Sequence, residues 1–141
     1  MNVNKLGTIL ALIASILTMI LSIFSIMIGY IIDDLLQDPA ISAVVNSALP
    51  LLFIYLVLSI IALAIACISF VDSKQRVFAI LNISIHAVLV IYTIIISILN
   101  MPDIILIGED IPIIAFATIF TVILIASILG TIGGCLKLKE A

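Results

Sequence analysis

Residues 6–32 read LGTILALIASILTMILSIFSIMIGYII, a run of 27 residues without one charged side chain. Three more uncharged runs follow, at residues 39–71, 77–102 and 111–136. A helix that crosses a bilayer needs about 20 apolar residues, so each of the four runs is long enough to cross once. The sequence therefore predicts an all-α integral membrane four-helix bundle with short loops, built as a single domain over residues 1–141.

The composition of the whole chain excludes the soluble alternatives. Of its 141 residues, 66% are hydrophobic and only 9% are charged. A soluble domain is about half apolar and about a quarter charged, and one this small leaves much of its surface in water. We therefore exclude soluble enzymes and nucleic-acid-binding proteins. The first apolar run also exceeds the roughly 7–15 residues of a signal-peptide core, so we interpret it as a retained span.

Prolines refine the span boundaries. Proline is tolerated in the first turn of a helix and disfavoured in its interior, so Pro50 and Pro112 are predicted to begin the second and fourth spans. Residues 40–49, between Pro39 and Pro50, are then expected to form a short helix or a re-entrant piece at the membrane surface. The predicted spans are residues 6–32, 50–71, 77–99 and 112–136.

The basic residues predict the orientation of the chain. All five lie in segments 1–5, 72–76 and 137–141, whereas six of the eight acids lie in segments 33–49 and 100–111. Short cytoplasmic loops of membrane proteins carry an excess of Lys and Arg. We therefore expect a protein of the cell membrane with both termini in the cytoplasm and two acidic loops outside.

The two halves of the chain have the same layout. A shift of 71 residues places Lys5 on Arg76 and Asp38 on Glu109, and each half is a helical hairpin whose outer loop carries three acids. Two apolar hairpins also agree to some extent by chance. The sequence leaves open whether the hairpins are true repeats.

Small and polar side chains recur in each span at alternating spacings of three and four residues. Helices in lipid associate through small residues that allow close approach, since lipid supplies no hydrophobic force between them. We expect these stripes to face the bundle interior and the large Ile, Leu and Phe side chains to face lipid. The predicted helix-packing residues are Ser15, Thr18, Ser22, Ser25, Ala62, Ala66, Gly130 and Gly134.

The third span carries the only candidate for a polar site inside the membrane, formed by Asn82, His86, Thr93 and Ser97. A functional interpretation makes it a site for a proton, a metal or a ligand. The structural interpretation, which we favour, is an interhelical hydrogen bond from a neutral imidazole. A zinc site needs three or four ligands, which the one histidine of the chain does not provide. We expect no catalytic, cofactor-binding or metal-binding residues.

Other side chains in the spans favour structural roles. The spans contain no Asp, Glu, Lys or Arg, and proton-coupled transporters normally keep such a group at depth. We expect Cys67 and Cys135 to be small packing residues. Tyr30, Phe53 and Tyr55 are equally consistent with anchoring at the outer interface of the membrane and with simple filling of space.

The chain resembles the small four-span membrane proteins of prokaryotes that carry domain-of-unknown-function labels. The resemblance rests on Lys5-Leu6-Gly7 before the first span, on the turn at residues 72–76 (DSKQR), and on Gly133-Gly134 before a short basic tail. It covers nearly the whole chain. It implies the four-span fold and transfers no functional residues.

The sequence thus predicts a non-enzymatic multi-pass membrane protein that acts through helix–helix contacts as an accessory or assembly subunit. Its expected partners are the lipid bilayer and either other membrane proteins or further copies of itself, without nucleic acid or cofactor. The alternative is a channel or transporter subunit for a neutral or weakly charged solute, with its path along the polar stripe of the third span. An enzyme acting on lipid is the least supported class.

Overall fold

The computed structural model describes the backbone of residues 3–71, 75–106 and 110–139, and the side chains within residues 3–71, 76–100 and 117–139. It contains four helices: α1 (Val3–Leu36), α2 (Pro39–Val71), α3 (Gln75–Leu106) and α4 (Asp110–Lys139). Among the described residues, only Gln37 and Asp38 are not helical. Each helix is long and apolar enough to cross a membrane, which confirms the predicted all-α bundle of four spans.

The α1–α2 turn is built by residues suited to ending one helix and starting another. Gln37 has a left-handed φ of 46°, and its N–H donates to the Asp33 carbonyl at 3.2 Å, as in a common helix-ending motif. The Asp38 carboxylate accepts from the Ala40 N–H at 2.8 Å. Asp38 is therefore the N-cap of α2, and Pro39 occupies the first helical position, which suits proline.

The second helix differs from its predicted boundaries. It begins at Pro39, runs without interruption to Val71, and contains Pro50 in its interior. Residues 40–49 are therefore the first turns of α2, and the predicted separate surface segment is wrong. Pro50 lacks the N–H that would bond the carbonyl four residues earlier, but membrane-spanning helices tolerate proline better than soluble ones do.

The helices form an antiparallel ring in chain order. The neighbouring pairs are α1 with α2, α2 with α3, α3 with α4, and α4 with α1. The start of α1 lies beside the end of α4, because Gly7 packs against Gly133 and Lys137. Helices α1 and α3 are therefore diagonal across the bundle, as are α2 and α4.

Small residues face inward and large ones face outward. Ala11, Ala14, Ala62, Ala66 and Ala79 are fully buried, whereas large side chains such as Phe24, Met27 and Ile98 are more than half exposed. Small residues inside and large apolar residues outside are expected where lipid, rather than water, surrounds the bundle.

The buried positions of α1 recur on α3 at an offset of 71 residues. Ala11 corresponds to Asn82, and Ser15 corresponds to His86; all four are buried. The Ser15 and His86 side chains also contact each other across the bundle. Helices α1 and α3 therefore present their inner faces in the same register, and whether the two hairpins are true repeats stays open.

The aromatic residues divide between the surface and the interior. Tyr30 and Phe53 are about half exposed, at 53% and 46%, but Tyr55 is buried. Of the two interpretations that the sequence leaves open for Tyr55, its burial supports the filling of space and not anchoring at the membrane interface. Its ring instead stacks near that of Tyr92, with centroids 6.2 Å apart, and it belongs to a core cluster with Leu89 and Ile123.

Candidate polar site in the bundle interior

His86 lies on α3 and is fully buried against α1 and α4. Its Nε2 atom is 3.3 Å from the Ser15 hydroxyl oxygen. That hydroxyl donates its own proton to the Ala11 carbonyl at 2.7 Å, so its oxygen accepts from the histidine. The arrangement assigns the imidazole proton to Nε2 and leaves Nδ1 as an acceptor, a tautomer inferred from the hydrogen bonds.

Gly130 provides the space for the imidazole ring. A Cβ atom added at Gly130 would overlap the ring of His86. One helical turn further along α4, Gly134 packs against Ile83 and the carbonyl of Ala79. The glycine pair that the sequence marks for close packing therefore lies against α3, and one of its members forms a wall of the polar site.

Asn82 lies one turn from His86 on the same side of α3 and is also fully buried. Neither its amide nitrogen nor its amide oxygen has a hydrogen-bond partner among the described residues, and the same is true of His86 Nδ1. An unpaired buried polar atom costs on the order of 1–3 kcal/mol. These three atoms form a local cluster of donors and acceptors that the fold leaves unpaired.

Thr93 and Ser97 continue the stripe but do not join the cluster. The Thr93 hydroxyl donates to the Leu89 carbonyl at 2.7 Å, and the Ser97 hydroxyl donates to the Thr93 carbonyl at 2.9 Å. Thr93 lies seven residues from His86, about 10 Å along the helix. The structure therefore brings Asn82 and His86 together and keeps Thr93 and Ser97 apart from them.

The part of the stripe from Asn82 to Thr93 is closed to water-sized molecules in this conformation. Asn82 and His86 are 0% exposed and Thr93 is 1% exposed. A void large enough for water would leave accessible area on its lining side chains. The interior at this point is therefore packed protein and not an open aqueous path.

The predicted helix-packing residues all lie on inner faces. Their hydroxyl groups mostly bond to their own helix: Ser22, for example, donates to the Thr18 carbonyl at 2.6 Å. Such bonds satisfy polar groups without involving a neighbouring helix. All eight predicted packing residues are buried, namely Ser15, Thr18, Ser22, Ser25, Ala62, Ala66, Gly130 and Gly134.

A close backbone approach joins two glycines that the sequence analysis did not single out for packing. A Cβ atom at Gly7 would lie 2.5 Å from the Gly133 carbonyl oxygen, and one at Gly133 would lie 2.6 Å from the Gly7 carbonyl oxygen. Helices α1 and α4 thus touch backbone to backbone. The sequence could have indicated this contact. Gly7 lies near the start of α1 and Gly133 near the end of α4, so in antiparallel helices the two glycines lie at the same level of the bundle.

Lys137 is a buried cation that the sequence analysis placed in the soluble tail. It belongs to α4, is 1% exposed, and its ammonium donates to the Ser69 carbonyl at 3.0 Å. That carbonyl lies in the last turn of α2, where backbone acceptors lack helical partners and a cation is favoured. Lys137 follows Gly130 and Gly134 at helical spacing, which was the signal for its burial.

The two cysteines do not pack in the interior. Cys67 and Cys135 are both exposed and unpaired, so the prediction that they are small packing residues is wrong for the bundle of a single chain. Each immediately follows a buried residue, Ala66 or Gly134, and therefore points to the lipid side of its helix. The described residues contain no group of three or more His, Cys, Asp or Glu side chains that could hold a metal.

An open cavity of about 800 Å³ lies at the other end of the bundle, around the α1–α2 turn. Asp34 and Asp38 are exposed on its lining and Asp33 is half-buried. The Asp38 carboxylate is already engaged as the N-cap of α2. These acids therefore form a solvated polar rim.

These features define the protein as a multi-pass integral membrane protein whose described interior is packed around Asn82, His86 and Thr93. In comparisons with family models, with curated proteins and with solved structures, the chain matches none of them.

Proposed function

We propose that the protein acts without enzymatic chemistry, through helix–helix contacts of its outer surface, as an accessory or assembly subunit of a membrane complex. The observation that carries this proposal is the zero exposure of Asn82 and His86 in the centre of the bundle. A closed interior leaves the lipid-facing surface and the two ends for interaction with other molecules.

The outer surface offers positions where a partner helix can come close. Ala64 on α2 and Ser84 on α3 are exposed between large apolar residues. Small residues of this kind let a second helix pack tightly in lipid. We expect the contact to involve one or both of these positions.

Extraction of the full-length protein from its native membrane into lipid nanodiscs tests the proposal. The expected result is a particle of defined mass that contains either a stoichiometric partner or several copies of the chain. A bifunctional maleimide should then cross-link the particle through the exposed Cys67 or Cys135, and a C67A/C135A variant is the control. Monomeric particles without a partner contradict the proposal.

Substitutions on the outer surface locate the contact. Ala64→Phe and Ser84→Phe add bulk at small outward positions and should break the complex without unfolding the bundle. Ile60→Phe and Ile80→Phe, one turn away on the same outward faces and 49% and 51% exposed, are the matched controls and should leave it intact. Equal behaviour of both pairs argues against contacts at these positions.

The second candidate is a channel or transporter subunit for a neutral or weakly charged solute. It is favoured by the three unpaired polar atoms of Asn82 and His86, because a purely structural pair should be satisfied by its neighbours. This function requires an opened conformation of the bundle in which those atoms contact the solute.

Light-scattering measurements on proteoliposomes, with glycerol and urea as probes, test the second candidate. His86→Leu and Asn82→Leu should abolish flux, and Asn82→Leu should also stabilise the fold because it removes unpaired amide atoms. Ser22→Ala, which removes a buried hydroxyl bonded only within α1, is the control and should retain flux. Absence of flux in the unmodified protein excludes the candidate.

A further inference from the structure

One end of the bundle gathers basic side chains from three helices. The start of α1 and the end of α4 meet there through Gly7 and Gly133, and Gly134 packs against the carbonyl of Ala79 near the start of α3. We call this the basic end; its basic residues with described side chains are Lys5, Arg76, Lys137 and Lys139. The opposite, acidic end carries Asp33, Asp34 and Asp38.

Three of the four cations point away from the bundle. Lys5, Arg76 and Lys139 are exposed. Arg76 lies one turn from the outward Ile80, and Lys139 lies one turn from the outward Cys135. Arg76 and Lys139 therefore continue the lipid-facing sides of their helices, and Lys5 is exposed at the start of α1.

The length of the helices places these cations at the level of lipid headgroups. Helix α4 has 30 residues and is about 45 Å long at about 1.5 Å per residue. The hydrocarbon core of a bilayer is about 30 Å thick, and the headgroup layers extend it to about 40–45 Å. The ends of the helices therefore lie among the headgroups, where Lys and Arg side chains extend towards phosphate.

Lys137 does not take part in this surface. It is buried, and its ammonium is bonded to the Ser69 carbonyl. Asp72, Lys74 and Glu140 lie outside the described residues, and their formal charges sum to −1. The three exposed cations outweigh that charge.

We propose that Lys5, Arg76 and Lys139 form a binding surface for the headgroups of anionic phospholipids. The cations come from three different helices, and each is positioned to form a charge-assisted hydrogen bond with a phosphodiester. Lys and Arg side chains close to the membrane surface attract anionic headgroups electrostatically. The proposal is independent of the helix–helix function proposed above, since it concerns headgroups and not partner helices.

Electron paramagnetic resonance with spin-labelled lipids tests the proposal. The full-length protein is placed in phosphatidylcholine vesicles that contain a trace of spin-labelled phosphatidylglycerol or spin-labelled phosphatidylcholine. The motionally restricted fraction measures the association of each lipid with the protein. We expect a preference of about fivefold for phosphatidylglycerol, the factor for one cation at a membrane surface, and its decrease at high salt.

Variants of the exposed cations separate headgroup binding from a general effect of net charge. The triple variant K5Q/R76Q/K139Q should lose the preference. The charge-conserving variant K5R/R76K/K139R and the acidic-end variant D33N/D34N/D38N should retain it. A preference that is absent from the unmodified protein, or unchanged in the glutamine variant, overturns the proposal.

Discussion

Near the basic end, Gly7 and Gly133 bring the backbones of α1 and α4 into contact, whereas midway along the bundle Tyr55 and Tyr92 fill the space between α2 and α3. At the glycines, the absence of side chains lets two backbones come into contact, and that contact supplies the dispersion energy. At the tyrosines, two large rings supply it by filling the space between the helices. Both suit a membrane, where helices are not driven together by the exclusion of water. The glycine contact and the aromatic pair should therefore differ sharply in which substitutions they tolerate.

Gly133→Ala should produce the largest effect. The added Cβ would lie 2.6 Å from the Gly7 carbonyl oxygen and 2.8 Å from the Ala11 nitrogen, and neither backbone atom can move without shifting α1. We expect a loss of about 3 kcal/mol in the free energy of unfolding, at the upper end for overpacking. Unfolding by sodium dodecyl sulfate in mixed micelles measures it.

Gly29→Ala is the matched control towards the acidic end. A Cβ atom there would lie 3.5 Å from Leu49 Cδ2 and 3.7 Å from Val45 Cγ1, which are ordinary contacts. Alanine also restricts the unfolded chain more than glycine does, which favours the folded state. Gly29→Ala should be neutral or stabilising. If Gly29→Ala and Gly133→Ala lower the free energy of unfolding equally, the close backbone contact is not the cause of the loss at Gly133.

Gly130→Ala should cost about 2 kcal/mol, because the added methyl group meets the ring of His86. A side chain can shift more easily than a backbone, so the loss should be smaller than at Gly133. The double variant G130A/H86A measures the coupling, since removal of the ring opens the space that the methyl group needs. If G130A costs the same with and without His86, the clash is not the cause of the loss.

The sequence predicted the four helices because the 13 charged residues lie between apolar runs. It did not predict the continuous α2. Proline is tolerated inside a membrane helix, and the sequence does not distinguish such a proline from one that begins a helix. The outward positions of Cys67 and Cys135 could have been predicted, since each follows a residue of an inward stripe. Predicting the role of Lys137 would have required extending the inward stripe of α4 past residue 136, the predicted end of the fourth span.

The polar site was predictable only in part. Asn82 and His86 share one face of α3 at a spacing of four residues, which the sequence shows directly. Their contacts depend on which helices lie diagonally and at what depth. A single sequence does not encode that choice in any short pattern, so neither Ser15 as the partner of His86 nor the unpaired atoms of Asn82 could be foreseen.

Lys137→Ala should cost about 1.5 kcal/mol, the lower value for a hydrogen bond to a charged group. The substitution leaves the Ser69 carbonyl at the end of α2 without its ammonium donor. Amide hydrogen exchange should therefore increase in the last turn of α2 while exchange near Tyr55 stays unchanged. Lys139→Ala, at an exposed position, is the control, and the idea of a cap on α2 fails if both variants change exchange equally.

Tyr55→Phe should produce the smallest effect and shows what a single side-chain hydrogen bond contributes midway along the bundle. The Tyr55 hydroxyl is 3.2 Å from the Ser127 hydroxyl, and Ser127 keeps its bond to the Ile123 carbonyl when the tyrosine hydroxyl is removed. We expect a coupling of about 0.6 kcal/mol in a cycle with Ser127→Ala, the average for such bonds between membrane helices. The ring remains in both variants, so its packing against Tyr92 is preserved. A coupling as large as the loss of unfolding free energy expected for Gly133→Ala would mean that hydrogen bonding, and not the volume of the aromatic rings, stabilises the region around Tyr55.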